Sequence, residues 1–167
     1  MKTILITGIG GLTPRSIAKI IRENHPDYKI IGCDVDKKSI GFFMKLSNGQ
    51  NLLDEYYIAP ICNSPEYFLW IEKLVATKHI DYAFVQPEKE IIAWGDYYEK
   101  NGRYPCPVLI GSKLFSASLK DKSIMSDLLN GTDYIPKTIK VTQNSPRFED
   151  VEREIGFPCW IRATEGS

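Results

Sequence analysis

The first two-thirds of the chain alternates short β-branched apolar runs with longer stretches whose apolar residues recur at helical spacing. Lys2 to Thr7 reads as a buried strand. Pro14 to Glu23, with Ile17, Ile20 and Ile21, reads as a helix, and Lys29 to Cys33 as a second strand. Glu55 to Ala59 is a short third strand. Pro65 to Thr77 follows as a helix with Phe68, Leu69, Ile71, Leu74 and Val75 inward, opened by the cap-like Asn63-Ser64-Pro65. Asp81 to Gln86 is a fourth strand, Glu88 to Lys100 a helix and Pro107 to Ile110 a fifth strand. Continuous apolar strands separated by helices imply a parallel sheet covered on both faces, so the expected fold class is a doubly wound α/β sheet.

After Gly111 the rhythm changes. Ser112 to Ser118 and Lys120 to Asn130 read as consecutive helices, the second stopped by Gly131. Lys137 to Thr142 reads as a strand, Pro146 to Ile155 as a helix and Pro158 to Arg162 as a strand. The pattern predicts one domain over residues 1–111 and the beginning of another over 112–167. Two strands and a helix or two are too little to bury a core alone.

Composition narrows the function classes. Lysine plus arginine (21) balances aspartate plus glutamate (21), so no basic field draws nucleic acid or an acidic membrane face. No apolar run approaches the roughly 20 residues of a membrane span. The N-terminus reads as a strand rather than a signal peptide. Four cysteines (Cys33, Cys62, Cys106 and Cys159) are irregularly spaced, and there are only two histidines, so no metal site is expected. A reducing cytoplasm is the simplest compartment for such a chain.

Candidate chemistry begins at Gly8-Ile9-Gly10-Gly11-Leu12-Thr13-Pro14, between the first strand and the first helix. Glycines there permit a tight turn and a close backbone approach, and the helix N-terminus can hold an anion. Asp34 ends the second strand, where an acidic residue would meet a ribose hydroxyl. The fingerprint departs at its third position, which falls on Thr13 rather than glycine. A short-chain dehydrogenase or epimerase would need a tyrosine with a lysine four residues later, and none has that spacing. An NAD(P)-binding oxidoreductase or epimerase is therefore the alternative reading, with a non-catalytic Rossmann-like domain behind it.

Three later segments carry another pattern: Ile110-Gly111-Ser112, Asp121-Lys122 and Gly156-Phe157-Pro158-Cys159-Trp160-Ile161-Arg162. Together they resemble the entry to an ATP-grasp enzyme, in particular the large subunit of carbamoyl phosphate synthetase and its relatives. The resemblance implies a Rossmann-like domain followed by the first elements of an ATP-grasp domain. It also implies ATP phosphates contacted by Lys122 and Arg162, two cations suited to a triphosphate. Gly8, Gly10, Gly11, Asp34, Glu88 and Glu90 would then line the side of a small-molecule carboxylate substrate. Glu88 and Glu90 read equally as first-turn acids complementing a helix dipole. The family's lid and magnesium ligands do not map onto this chain. The expectation is the front part of a ligase that uses ATP and Mg2+ to form an acyl phosphate, inactive alone, with a homodimer possible.

Overall fold

The computed structural model describes residues 1–112, 115, 116, 118, 121–143 and 145–164. The chain divides into two compact units, Met1–Lys113 and Leu114–Ser167.

In the first unit, strands β1 (Thr3–Thr7), β2 (Lys29–Asp34), β3 (Glu55–Ile58) and β4 (Tyr82–Phe84) form a parallel sheet in the order β3-β2-β1-β4. Helices α1 (Leu12–Asn24), α2 (Tyr67–Lys78) and α3 (Glu88–Asn101) alternate with the strands. The α/β sheet expected from the pattern is thus present, in a Rossmann-like arrangement. The fifth strand is not: Pro107 to Ile110 is reduced to one parallel bridge between Ala83 and Val108.

Period-two alternation assigns the two faces. Ile4, Ile6 and Ile30 pack with Ala18 of α1 and with Phe42, Leu52 and Leu53 of the β2–β3 connection. Leu5, Ile31, Cys33, Ala83 and Val85 pack on the other face with Tyr67, Ile71 and Leu74 of α2 and Trp94 of α3. The central strands β1 and β2 are largely apolar because both their faces are buried, whereas edge strand β3 alternates half-buried and exposed residues. One inward assignment from the pattern fails, since Leu69 is exposed; Ile20, part of the helical spacing in α1, is exposed as well. The α2 helix starts two residues after Pro65, which brings fully buried Tyr67 into its first turn.

The crossover reverses at β1. The chain lays down β2 and β3 on one side of it and β4 on the other, creating a switch-point crevice at the carboxyl ends of β1 and β4.

The second unit contains helices α4 (Lys122–Leu128) and α5 (Phe148–Glu154). Lys137 to Thr142 and Pro158 to Arg162 are not strands, and a single antiparallel bridge joins Thr142 to Ser145. The helix expected over Ser112 to Ser118, and the chain end from Glu165, fall partly or wholly outside the described residues. No described helix is long and apolar enough to cross a membrane.

Candidate functional site at the carboxyl end of the sheet

The glycine turn is built by backbone approach. Gly8 has φ +63, and a Cβ there would lie 2.4 Å from Cγ of Pro87 beyond β4. Its carbonyl accepts the Gly11 amide at 2.9 Å. A Cβ on Gly10 would lie 2.8 Å from the Ser39 hydroxyl and 3.0 Å from the Asp34 carboxylate. Glycine is demanded at 8 by both conformation and space, and at 10 by the groups that close over it.

Asp34, at the end of β2, organises this turn. Its Oδ2 accepts the Gly10 amide at 2.8 Å and the Ser39 hydroxyl at 3.2 Å, while Oδ1 accepts the Asp36 amide at 3.0 Å. Gly11 caps α1 without a side-chain bond, and the first turn holds no acid. The Leu12 and Thr13 amides have no backbone acceptor among the described residues, as expected at a helix start. The result is a small electropositive backbone surface beside one carboxylate.

Across β1, the two candidate acids on α3 separate. Glu88 is exposed, a dipole-complementing residue of the first turn, whereas Glu90 is only 5% exposed. Burial pushes the Glu90 carboxyl above the usual carboxylate range, and the Asp34 charge adds to this; the Thr7 and Tyr67 hydroxyls pull the other way. Glu90 Oε2 has no hydrogen-bond partner. Thr7 Oγ1 accepts the Gln86 amide at 3.3 Å, and the Tyr67 hydroxyl accepts Trp94 Nε1–H at 3.2 Å. Burial also pushes the Cys33 thiol well up, with the Glu90 charge contributing. Thr7, Ser39 and Tyr67 were not singled out by the sequence. For Tyr67 the available signal was an aromatic with a polar tip at a helix start.

A cleft of about 370 Å³ lies elsewhere, on the α1 face beside β4, lined by Ile4, Ile21, His25, Tyr82 and Leu109. Its wall is almost wholly apolar and it stands off the carboxyl ends of the strands, so the chemistry is not there. Among the described residues no group of three or more histidine, cysteine or acidic side chains is arranged to hold a metal.

The proposed cation pair takes a different form from that expected. Asp121 is the N-cap of α4, its carboxylate accepting the Ser123 amide at 2.8 Å and hydroxyl at 2.7 Å. The Asp-Lys pair thus has a capping explanation. The Lys122 amide donates to the Thr164 carbonyl at 2.9 Å. Arg162 is exposed in a stretch without strand pairing, behind fully exposed Trp160. A strand that would aim the arginine is missing.

No family model matches the chain, and no curated protein matches it. Among solved structures, it is similar to a dTDP-glucose 4,6-dehydratase from Bacillus anthracis in complex with NAD, at TM-score 0.43 and 15% identity, covering 60% of this chain and 34% of that one. It is also similar to an ADP-L-glycero-D-manno-heptose-6-epimerase from Helicobacter pylori, at TM-score 0.38 and 21% identity, covering 75% and 51%. A third is the UDP-glucose 4-epimerase of Thermotoga maritima with UDP-glucose, at TM-score 0.38 and 14% identity, covering 83% and 41%. The matched region spans about a third to a half of those proteins. Likeness of this extent does not identify a function. None of the three is an ATP-grasp protein or a carbamoyl phosphate synthetase, and the resemblance to that family is corrected accordingly. The ligase activity, ATP and Mg2+ that it implied are withdrawn with it. The physical reason is that its motifs are short and local: a helix cap and a Pro-to-Arg spacing recur without the strand that gives them a role.

Proposed function

We propose that the first unit binds a nicotinamide dinucleotide across the carboxyl end of its sheet. The observation that carries the reading is the 2.8 Å contact between Asp34 Oδ2 and the Gly10 amide, which sets the β2 carboxylate against the glycine turn at the start of α1. In this reading the pyrophosphate lies on the Leu12 and Thr13 amides and the adenosine ribose on Asp34. Asp34 has the capacity for a ribose hydroxyl. Its protein partners use both acceptor sites of Oδ2 and one of Oδ1, and a turn of the Ser39 hydroxyl frees another. A carboxylate at that place favours NAD over NADP, because the 2′-phosphate would approach a fixed negative charge. In this reading the protein works in a reducing compartment such as the cytoplasm, which suits its four free cysteines. The nucleotide supplies hydride chemistry when bound; this chain's own residues bind and orient it.

Calorimetric titration of the full chain with NAD and NADP tests the reading. Two unit charges about 4 Å apart interact by about 4 kcal/mol at an effective dielectric near 20, so even heavy screening leaves NAD preferred by about tenfold or more. Asp34→Asn should narrow that preference and weaken NAD. An unchanged NAD affinity and an unchanged NAD-to-NADP ratio in the variant would sink the assignment.

A further inference from the structure

Strand β3 ends the sheet: among the described residues it pairs with β2 on one side and with no strand on the other. The phase of its backbone follows from the register. Asp34 lies opposite Ile58, and the Ala59 amide donates to the Asp34 carbonyl at 2.8 Å. Alternation along the strand therefore turns the peptide groups of Tyr57 toward β2 and those of Tyr56 and Ile58 outward. No backbone donor or acceptor among the described residues meets these outward groups. The side chains of the same two residues are exposed, Tyr56 at 48% and Ile58 at 56%. The Tyr56 ring stacks on Phe42 at 4.6 Å and meets Phe43 edge-on at 5.9 Å, and Phe43 is itself 63% exposed.

An apolar patch beside an unpaired edge is ordinarily guarded by a free charge or a proline. Here the charges next to the edge are engaged within their own chain. Lys29 and Lys78 reach the Glu55 carboxylate at 2.5 and 2.8 Å, and the Tyr57 hydroxyl donates to it as well. Glu55 and Tyr57 also lie on the opposite face from Tyr56 and Ile58. The edge is complementary to itself. A second β3 laid antiparallel about a two-fold axis at Tyr57 lets Tyr56 exchange both hydrogen bonds with the partner's Ile58, and Ile58 with the partner's Tyr56. Each exchange also sets an aromatic ring against a β-branched side chain, a favourable cross-strand pair. Copies meet without long-range repulsion, because 21 basic residues balance 21 acidic ones. Phe43, Tyr56 and Ile58 together offer roughly 300 Å² per copy, taking half of the 150–250 Å² of a whole aromatic for each. With the strand backbone the two copies bury roughly 800 Å², less than the about 1,200 Å² of a stable interface, so the contact is weak and reversible.

We propose that two copies of this chain associate through antiparallel pairing of their β3 edges, with Tyr56 of each copy against the partner's Ile58. The pairing joins the two four-stranded sheets into one. It is independent of the dinucleotide reading above, and it uses the edge strand rather than the switch-point crevice.

The experiment is sedimentation equilibrium of the full chain from about 5 to 500 µM, over which the apparent mass should rise from monomer toward dimer. The double variants Tyr56→Lys/Ile58→Lys and Tyr56→Glu/Ile58→Glu each set like charges directly opposite, and each should self-associate at least about tenfold more weakly. An equimolar mixture of the two should recover a dimer, since position 56 of one copy faces position 58 of the other with opposite charge. Tyr57→Cys covers the case in which a charged variant fails to fold. It puts a thiol on the two-fold axis, where facing Cα atoms are about 4.5 Å apart and a disulfide can span them. Mild oxidation should trap that variant as a covalent dimer in greater yield than the wild type. A dimer that persists in both charged variants, a mixture that fails to recover one, or no added trapping at Cys-substituted position 57 would overturn the pairing. A wild type that stays monomeric to the highest concentration would overturn it too, leaving the edge to an extended segment of a different protein.

Discussion

Replacing Glu90 by glutamine should stabilise the protein, and only at pH values above the one at which the unfolded carboxyl ionises. The carboxyl is 5% exposed, one of its oxygens has no partner, and burial raises its folded pKa above that of the unfolded chain. Below the unfolded value both states are protonated, and the native state bears no charge penalty from this group. As pH rises from the unfolded pKa through the folded one, the unfolded state ionises in water while burial holds the native carboxyl protonated, so stability is lost, fully so once the folded pKa is passed. The groups facing it do not reverse the sign: Cys33, Cys62 and Tyr67 are all pushed upward and stay neutral, and Asp34 is a further negative charge. A buried, incompletely bonded charge costs about 1–3 kcal/mol. Glutamine keeps the shape and can still meet the Thr7 and Tyr67 hydroxyls, so the gain at pH 8 should be about 1–2 kcal/mol, falling toward zero near pH 4. Near the midpoint that is a rise of roughly 3–10 °C for a unit of this size. Urea titrations followed by tryptophan fluorescence at several pH values would measure it, with buried Trp94 as a reporter. A stability difference that does not change with pH, or a glutamine variant weaker than wild type at pH 8, would show that the buried charge is not what costs stability here.

Other perturbations bear on the frame around the site. A Cβ on Gly41 would sit 2.2 Å from the Ile9 carbonyl oxygen, a backbone atom that no rotamer change can move. Gly41→Ala should therefore lower the urea midpoint by the equivalent of about 1–3 kcal/mol or more and distort the glycine turn through Ile9; an unchanged midpoint would show that the β2–β3 connection adapts freely. Gly49→Ala is the contrast: at φ +83 with nothing within 4 Å, it should cost only the left-handed backbone penalty of about 1–2 kcal/mol. At the opposite side of the sheet, hydrogen bonds from Lys29, Lys78 and Tyr57 hold the Glu55 carboxyl down to about 2. Its contribution is full above the ordinary glutamate pKa and is lost as pH falls through about 2. Lys78→Met should therefore move the acid limb of thermal stability to higher pH, and melting curves from pH 2 to 5 would expose an unchanged limb.

The sheet was legible because its central strands, β1 and β2, are buried on both faces and read as apolar runs. Four of the five strands expected in the first unit are present at nearly the expected positions. The fifth, Pro107 to Ile110, is apolar enough but meets β4 at one bridge only. Further along, apolar pattern misled. Trp160 and Ile161 are hydrophobic and β-favouring, yet 100% and 87% exposed, because strand propensity becomes a strand only where a partner covers it. The site was half legible for the same reason. Asp34 was marked by its place after a strand. Glu88 and Glu90 sit two residues apart in one helical turn, and no local pattern could say which is buried. Packing decides that, since Thr7, Cys33 and Tyr67 arrive from three other elements.

The missing third glycine of the turn also follows from packing. That glycine ordinarily lets a helix lie close against the first strand. Here its place falls on Thr13, which is exposed, so no close approach is needed there. Close contact with the sheet falls instead to buried Pro14 and to Ala18, which is 0% exposed and packs against the Ile4, Ile6 and Ile30 face. Proline brings no amide to satisfy, while Leu12 and Thr13 keep theirs at the start of α1. The departure from the fingerprint therefore falls at a position whose usual role passes to the next turn of the helix. The two glycines that the turn requires are those pressed by Pro87 and by the Asp34–Ser39 pair.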